Sequence, residues 1–312
     1  MMKLAFLFPG QGSQAVGMGR GFYDASAGVR ALYAEASDAL GLDLARLCFD
    51  GPEAELQLTA NTQPAILTAS VAAAHVLAER GIAPALAAGH SLGEYAALVV
   101  GGAMSFGDAV RVVRKRGEFM QEAVPVGVGA MAAILGIELL AVEALCREAT
   151  RPSEIVTVAN INAATQIVVA GHRVAVERAV ALAAERGGRR SVLLPVSAPF
   201  HCPLMQPAAE RLARELERVV VSPPNVPVVR NVDAGLTTTA DDVIPFLVRQ
   251  VASPVRWAAC VTRMVEEGAT LFLEVGPGRV LTALLKRIAD GVKGYAVEDP
   301  PSLEKALADL GG

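Results

Sequence analysis

Paired cysteines, a strong net charge and a long hydrophobic run are all missing from this sequence, and each absence excludes a class of protein. The four cysteines, Cys48, Cys146, Cys202 and Cys260, show no CxxC or cysteine–histidine spacing. This favours free thiols in a reducing compartment over a disulfide framework or a metal site. The net charge of −4 and the pI of about 5.7 provide no general attraction to nucleic acid.

Hydrophobic stretches are present but short. The longest, residues 65–77 and 85–104, are interrupted by histidine or glutamate and fall short of a membrane span. The first apolar stretch ends at Pro9-Gly10, before it reaches the roughly 7–15 residues of a signal-peptide core. It therefore indicates a buried first strand. We predict a soluble, cytoplasmic protein that binds neither nucleic acid nor a membrane.

The 312 residues, 53% of them hydrophobic, are enough for a large core. Strand-like and helix-like segments alternate along the chain, which indicates an α/β fold. Near residue 127, proline and glycines mark a change of composition. Residues 128–197 then show the order βαββαβ, typical of a ferredoxin-like domain. We predict a core formed by residues 1–127 and 198–312, with this small domain inserted and a ligand cleft between the two.

Residues 89–93, Gly-His-Ser-Leu-Gly, lie between a predicted strand and a predicted helix. The Gly-x-Ser-x-Gly pattern in this context is typical of a nucleophile elbow, a tight turn that presents one serine hydroxyl to a cleft. The N–H groups that begin the following helix would face an oxyanion formed beside that serine. Ser91 is therefore the predicted nucleophile.

A serine nucleophile needs a base, and the chain has four histidines. His75 lies in an alanine-rich helix and fits a structural role. His90 adjoins Ser91 and would point in a different direction, while His172 follows a glycine in a turn and is expected to be exposed to solvent. By elimination the base is His201, whose direction the prolines on both sides would fix.

Several separated motifs then occur in a characteristic order: Gly10-Gln11-Gly12-Ser13-Gln14, the elbow through Glu94, Arg116-Gly117 with Met120-Gln121, Asn160, Pro199-Phe200-His201, Gln250 and Gly276-Pro277-Gly278. Together they resemble the malonyl-CoA:acyl-carrier-protein transacylases of bacterial fatty-acid synthesis, over residues 8 to about 287. The resemblance implies a hydrolase-like α/β core with an inserted ferredoxin-like domain.

The resemblance also implies roles for matching residues. Ser91 would attack a thioester carbonyl while His201 takes its proton. The backbone N–H groups of Gln11 and Leu92 would form the oxyanion hole. Gln250 would orient the histidine through its backbone carbonyl, although a polar residue at a helix end is the alternative interpretation.

Arg116 would hold the free carboxylate of a malonyl group, to which the planar guanidinium fork is suited. On a helix it is rotated away from the face shared by Arg111, Arg114 and Lys115, which suggests a partner inside the protein. The alternative is a solvated basic run. The family pattern also places Asn160, Gln63 and Met131 near the substrate, where they could equally be strand-edge and core residues. Phe200 is expected to narrow the acyl pocket and to favour malonyl over branched malonyl groups.

The implied reaction is ping-pong transfer of a malonyl group from malonyl-CoA, through Ser91, to the phosphopantetheine thiol of acyl carrier protein. It needs no metal or redox cofactor. Because the carrier protein is acidic as a class, its dock should be basic, and three patches are candidates: Arg111 with Arg114 and Lys115, Arg189-Arg190, and Lys286-Arg287. The resemblance suggests a monomer.

Three alternatives stay open on sequence alone. A serine hydrolase or thioesterase would use the same elbow, but it usually carries an acidic residue between serine and histidine, and no candidate stands out here. A stand-alone malonyl acyltransferase of polyketide assembly or malonate metabolism would share every site residue. A catalytically silent binding subunit is disfavoured by the intact Ser91, His201 and Arg116.

Overall fold

The computed structural model describes residues 3–196 and 198–311. Its strands are β1 Lys3–Phe8, β2 Leu86–Gly89, β3 Gly129–Leu135, β4 Val156–Ala163, β5 Gln166–His172, β6 Arg190–Leu193, β7 Val228–Val229, β8 Leu236–Thr237, β9 Ala269–Val275 and β10 Lys293–Val297. Its α-helices are α1 Arg20–Ala25, α2 Ala27–Leu40, α3 Leu44–Asp50, α4 Glu53–Leu56, α5 Thr59–Glu79, α6 Gly93–Val100, α7 Phe106–Glu122, α8 Leu139–Ala149, α9 Arg173–Glu185, α10 Gln206–Leu216, α11 Ala240–Val251, α12 Trp257–Glu266, α13 Val280–Ile288 and α14 Pro300–Gly311.

The larger sheet has six strands in the order β10-β9-β1-β2-β7-β8. All neighbouring pairs are parallel except β7 and β8. Ala5 and Leu7 of the central strand β1 enter one hydrophobic core, while Phe6 and Phe8 enter another on the opposite face. This two-sided burial explains why the strand is a continuous apolar run without alternation.

The smaller sheet is antiparallel and has the order β4-β5-β3-β6. Along β3, Ala132 and Ile134 face a core shared with α8 and α9. Met131 instead faces the core that also contains Phe6 and Phe8 of β1. The alternation follows from the two-residue period of a strand. The prediction of an α/β protein is confirmed in this form: a mostly parallel sheet with helices, and a separate antiparallel sheet.

Strand β4 of the smaller sheet forms a short bridge to Val255, which lies between α11 and α12. The carbonyl of Ala159 accepts from the Val255 N–H at 2.9 Å, and the N–H of Ile161 donates to the Val255 carbonyl at 2.8 Å. The imidazole of His90, beside the predicted nucleophile, contacts the Asn162 side chain at 3.0 Å. These contacts fix the smaller sheet relative to the end of β2.

One local expectation needs correction. His172 is half-buried, not exposed, and its Nδ1 accepts the Ile155 N–H at 3.1 Å. Helix α5 begins at Thr59 and contains Pro64 in its interior. Pro64 has no N–H to give to the carbonyl of Ala60, and the Arg114 guanidinium donates to that carbonyl at 3.2 Å instead.

None of the helices described combines the length and the apolar character needed to cross a membrane. Within residues 3–196 and 198–311, His, Cys, Asp and Glu side chains form no cluster of three or more that could hold a metal ion.

Candidate active site

Ser91 lies at the carboxyl end of β2, in the turn before α6, with a positive φ of 53°. The glycines on either side permit this tight turn. A Cβ at Gly89 would lie 1.9 Å from the carbonyl carbon of Gly93, and a Cβ at Gly93 would lie 2.2 Å from the carbonyl oxygen of Phe8. Neither position can therefore hold a side chain without moving backbone, and the turn projects the serine hydroxyl into the cleft.

His201 is the histidine that the fold brings to Ser91. Its Nε2 lies 2.7 Å from Ser91 Oγ, and its Nδ1 lies 2.9 Å from the backbone carbonyl of Gln250. A carbonyl only accepts, so Nδ1 carries the proton and Nε2 is left free to accept one from the serine. Burial and the positive charge of Arg116 lower the pKa of His201 to about 3, which keeps the imidazole neutral at physiological pH.

Arg116 comes from α7 and is 2% exposed. Its guanidinium donates to Ser91 Oγ at 2.9 Å, to Gln250 Oε1 at 2.9 Å and to Gln63 Oε1 at 2.7 Å. All of these acceptors are uncharged, and no ion pair of the described residues includes Arg116. Its Nε has no hydrogen-bond partner within that part of the chain. A buried, unneutralised guanidinium within hydrogen-bonding distance of a nucleophile is suited to an anionic ligand.

A cavity of about 110 Å³ opens beside these groups, roughly the space of four water molecules. Ser91, His201 and Arg116 line it together with six other residues that the sequence singled out: Gln11, Gln63, Leu92, Met131, Asn160 and Phe200. Gln250 lies behind it and is fully buried. The structure thus brings every predicted site residue to one cleft.

The basic patch predicted on α7 lies elsewhere. Arg111 and Lys115 line a separate surface cavity of about 490 Å³ that contains none of the site residues. Their charges are paired with Asp108 and Glu118 on the same helix at 2.7 and 2.9 Å. Exposed pairs of this kind contribute little energy, so the residues remain available to other partners.

Two residues of the site were given no role at the sequence level. Asn231 follows β7, the neighbour of β2, and its Oδ1 accepts the Ser91 N–H at 2.7 Å while its Nδ2 donates to the Gly89 carbonyl at 2.7 Å. Glu94 is 3% exposed, and its Oε2 accepts from the Asn231 N–H at 3.0 Å and from Gln250 Nε2 at 2.8 Å. The only sequence signal was that Glu94 completes the elbow motif.

We expect the stability of the protein to depend on pH through the buried carboxyl of Glu94. Burial raises the pKa of its carboxyl to about 7, while hydrogen bonds from Gln250 and Asn231 act in the opposite direction. A carboxyl with a raised folded-state pKa stabilises the protein at low pH, and that contribution is lost as the pH rises through 7. Between pH 5 and pH 8 the native protein should therefore lose about 2–3 kcal/mol of free energy of unfolding that Glu94→Gln does not lose.

Urea denaturation of both proteins at the two pH values measures this difference. Glu118→Gln is the matched control, because that carboxyl is partly exposed and its pKa is lowered by Lys115 and Arg114 despite partial burial. An equal change of stability with pH in the native protein and in Glu94→Gln would contradict the expected ionisation of Glu94.

Known proteins share both the sequence and the architecture of this chain. A family model described as "Acyl transferase domain" matches residues 5–301. The malonyl CoA-acyl carrier protein transacylase of Escherichia coli strain K12 is 49% identical over 308 residues, which are 98% of this chain and 99% of that protein.

Two solved structures are similar to this chain in both sequence and fold. The acyl-carrier-protein S-malonyltransferase from Burkholderia pseudomallei 1710b is 49% identical with a TM-score of 0.95, covering 98% of this chain and 100% of that one. A malonyl-transacylase in complex with its type II PKS acyl-carrier protein is 47% identical with a TM-score of 0.95, covering 98% and 99% of the two chains. The chain therefore belongs to the acyl transferase family, and within it to the malonyl CoA-acyl carrier protein transacylases.

Proposed function

We propose that this protein transfers the malonyl group of malonyl-CoA to the phosphopantetheine thiol of acyl carrier protein, and so supplies units for fatty-acid synthesis. The observation that carries the proposal is the unneutralised Arg116 guanidinium, 2.9 Å from the hydroxyl of a serine that is itself paired with a neutral histidine. A neutral acyl group would leave this buried charge without a function. The two solved relatives and the Escherichia coli enzyme bear names that specify the same transfer.

The geometry supports the following acylation step. Ser91 Oγ attacks the thioester carbonyl of malonyl-CoA as its proton passes to His201 Nε2. The oxyanion formed lies towards the backbone N–H groups of Gln11 and Leu92, the latter at the start of α6. When the C–S bond breaks, His201 returns the proton to the leaving sulfur, and CoA departs as a thiol. Ser91 then carries the malonyl group as an ester.

Deacylation reverses these roles. The phosphopantetheine thiol gives its proton to His201 and attacks the ester carbonyl, and the proton then returns to Ser91 Oγ as the carrier protein leaves with the malonyl group. The Gln250 carbonyl takes the place that an Asp or Glu holds in a hydrolase triad, by accepting from Nδ1 in both half-reactions. No metal or redox cofactor enters this scheme.

Arg116 binds the free carboxylate of the malonyl group in this proposal. To do so its guanidinium gives up the bond to Ser91 Oγ and keeps those to Gln63 and Gln250. Asn160, Met131 and Phe200 line the same small cavity and would shape the pocket for the acyl chain, with Phe200 disfavouring branched malonyl groups.

We further propose that the smaller unit, residues 128–197, is a ferredoxin-like domain inserted into a hydrolase-like core of residues 1–127 and 198–312. Its element order, β3-α8-β4-β5-α9-β6, and its strand order, β4-β5-β3-β6, support this assignment. The core carries its nucleophile at the end of a parallel strand, where open α/β sheets bind ligands.

The carrier protein could belong to polyketide assembly instead, because one solved relative is bound to a type II PKS acyl-carrier protein. Mass spectrometry of holo carrier protein mixed with malonyl-CoA and catalytic amounts of enzyme tests both. The proposal predicts that malonyl-loaded carrier protein forms faster with a fatty-acid carrier protein than with a polyketide one. Apo carrier protein should give no product. Release of free malonate with no loaded carrier would instead favour a thioesterase.

A further inference from the structure

The side-chain amide of Gln250 meets three groups, and only one orientation of the amide suits all of them. Its Nε2 donates to the Ser91 carbonyl at 3.0 Å and to Glu94 Oε2 at 2.8 Å, while its Oε1 accepts from Arg116 at 2.9 Å. If the amide turned over, its NH₂ would face the guanidinium N–H groups and its oxygen would face two other oxygens. The orientation of this amide therefore decides whether Arg116 is supported or repelled.

Glu94 is the group best placed to enforce that orientation. One oxygen of its carboxylate, Oε2, accepts from both Gln250 Nε2 and the backbone N–H of Asn231. A backbone N–H can only donate, so this oxygen must remain an acceptor. A proton taken up by the carboxyl would go to Oε1 and would leave the same oxygen facing Gln250.

The arrangement also keeps the negative charge of Glu94 one residue away from Arg116. Gln250 stands between them and presents its uncharged oxygen to the guanidinium, as Gln63 does from the other side at 2.7 Å. Arg116 is thereby oriented by two hydrogen bonds and retains its full charge for a ligand. A carboxylate in the place of Gln250 would orient it equally well but would neutralise it.

We propose that Glu94 is a positioning residue that holds the Gln250 amide with its oxygen towards Arg116, and so sets the preference for acyl groups that carry a free carboxylate. The inference rests on the proposed malonyl transfer. It assigns substrate selection to a residue that does not line the cavity beside Ser91. Within the elbow motif, Ser91 would act as the nucleophile and Glu94 would favour acyl groups that carry a negative charge.

Binding without turnover tests the proposal. In a Ser91→Ala background, calorimetric titration with malonyl-CoA and with acetyl-CoA gives the two dissociation constants directly. Glu94→Met and Glu94→Gln are matched in length, and only glutamine retains an acceptor for Gln250 and Asn231. We expect Glu94→Met to weaken malonyl-CoA binding about 10- to 100-fold, as for the loss of a hydrogen bond to a charged group, and to leave acetyl-CoA binding unchanged. Glu94→Gln should stay within about threefold of the background for both ligands, well below the loss of such a bond.

The outcomes separate the two proposals. If the Ser91→Ala protein does not distinguish malonyl-CoA from acetyl-CoA, the proposed function is wrong and this inference is wrong with it. If it distinguishes them and Glu94→Met does so equally well, only the role of Glu94 is wrong. A loss in Glu94→Gln as large as that in Glu94→Met would assign the effect to charge and would also overturn the inference.

A second variant decides the matter if Glu94→Met does not fold. The exchange Glu94→Gln with Gln250→Glu keeps the number of charges and amides but places the carboxylate against Arg116. We expect it to bind malonyl-CoA no more tightly than acetyl-CoA. A retained preference for malonyl-CoA in this double variant would overturn the inference.

Discussion

Ser91→Ala is expected to lower kcat for malonyl transfer by about 10⁵- to 10⁶-fold, as the loss of the nucleophile does in hydrolases with a serine–histidine pair. The hydroxyl that it removes lies 2.7 Å from His201 Nε2 and 2.9 Å from the Arg116 guanidinium. Because the two residues act on the same proton, His201→Ala should cost a similar factor, and the double variant should be no slower than either single variant. Formation of malonyl-loaded carrier protein, followed by mass spectrometry, measures all three.

Ser222→Ala, at an exposed serine, is the control for an effect of substitution itself and should retain native activity. Thermal unfolding should show that each variant is folded. Activity above about 1% of native in Ser91→Ala would mean that another group is acylated, since loss of a true nucleophile costs far more. Such a result would contradict the proposed mechanism.

Arg116→Met is expected to have the second largest effect, and its effect should depend on the substrate. Removal of one partner from a buried, hydrogen-bonded charge pair costs about 2–5 kcal/mol, so kcat/KM for malonyl-CoA should fall roughly 30- to 4,000-fold. Acetyl-CoA has no free carboxylate for Arg116 to bind, so kcat/KM for acetyl-CoA should stay the same or rise. The ratio of the two kcat/KM values is the measured quantity.

The control for this prediction is Arg114→Met on the same helix. Arg114 is partly exposed and pairs with Glu118 at 2.9 Å, so its loss should leave the malonyl-to-acetyl ratio unchanged. A second consequence distinguishes Arg116 further. Its charge lowers the pKa of His201, and its removal should therefore raise that pKa and move the acid limb of the activity profile to higher pH. Equal losses for both acyl-CoA substrates in Arg116→Met would show that the arginine is structural.

The sequence predicted the parts of the site that depend on local chemistry. A glycine-flanked serine between a strand and a helix defines its own geometry, because the turn leaves no room for side chains on either side. The direction of Arg116 also followed from helical periodicity, which separates it from its basic neighbours. These inferences need only residues that are close to one another in the sequence, within a single turn or helix.

The remaining features depend on contacts between distant segments. Asn231 meets Ser91 across 140 positions and Glu94 meets Gln250 across 156, and neither pairing has a local pattern. The short strands β7 and β8 and the last pair of elements, β10 and α14, were not predicted from the sequence. Two-residue strands such as β7 exist because they extend a sheet already formed, so tertiary structure and not propensity determines them.

The backbone carbonyl of Gln250 shows a further limit of sequence reasoning. Every residue has a carbonyl, so no residue type marks the one that accepts from His201 Nδ1. No acidic residue between the serine and the histidine stands out in the sequence as the missing member of a triad. Glu94, the buried carboxyl beside this network, contacts Gln250 and Asn231.

The central claim is that Ser91 carries a malonyl ester between two thiols, and intact-protein mass spectrometry after brief mixing with malonyl-CoA tests it most directly. We predict an increase in mass by one malonyl group, its absence in Ser91→Ala, a far weaker signal with acetyl-CoA, and its removal when holo carrier protein is added. CoA release without any adduct on the native protein, or an adduct that persists in Ser91→Ala, would contradict it.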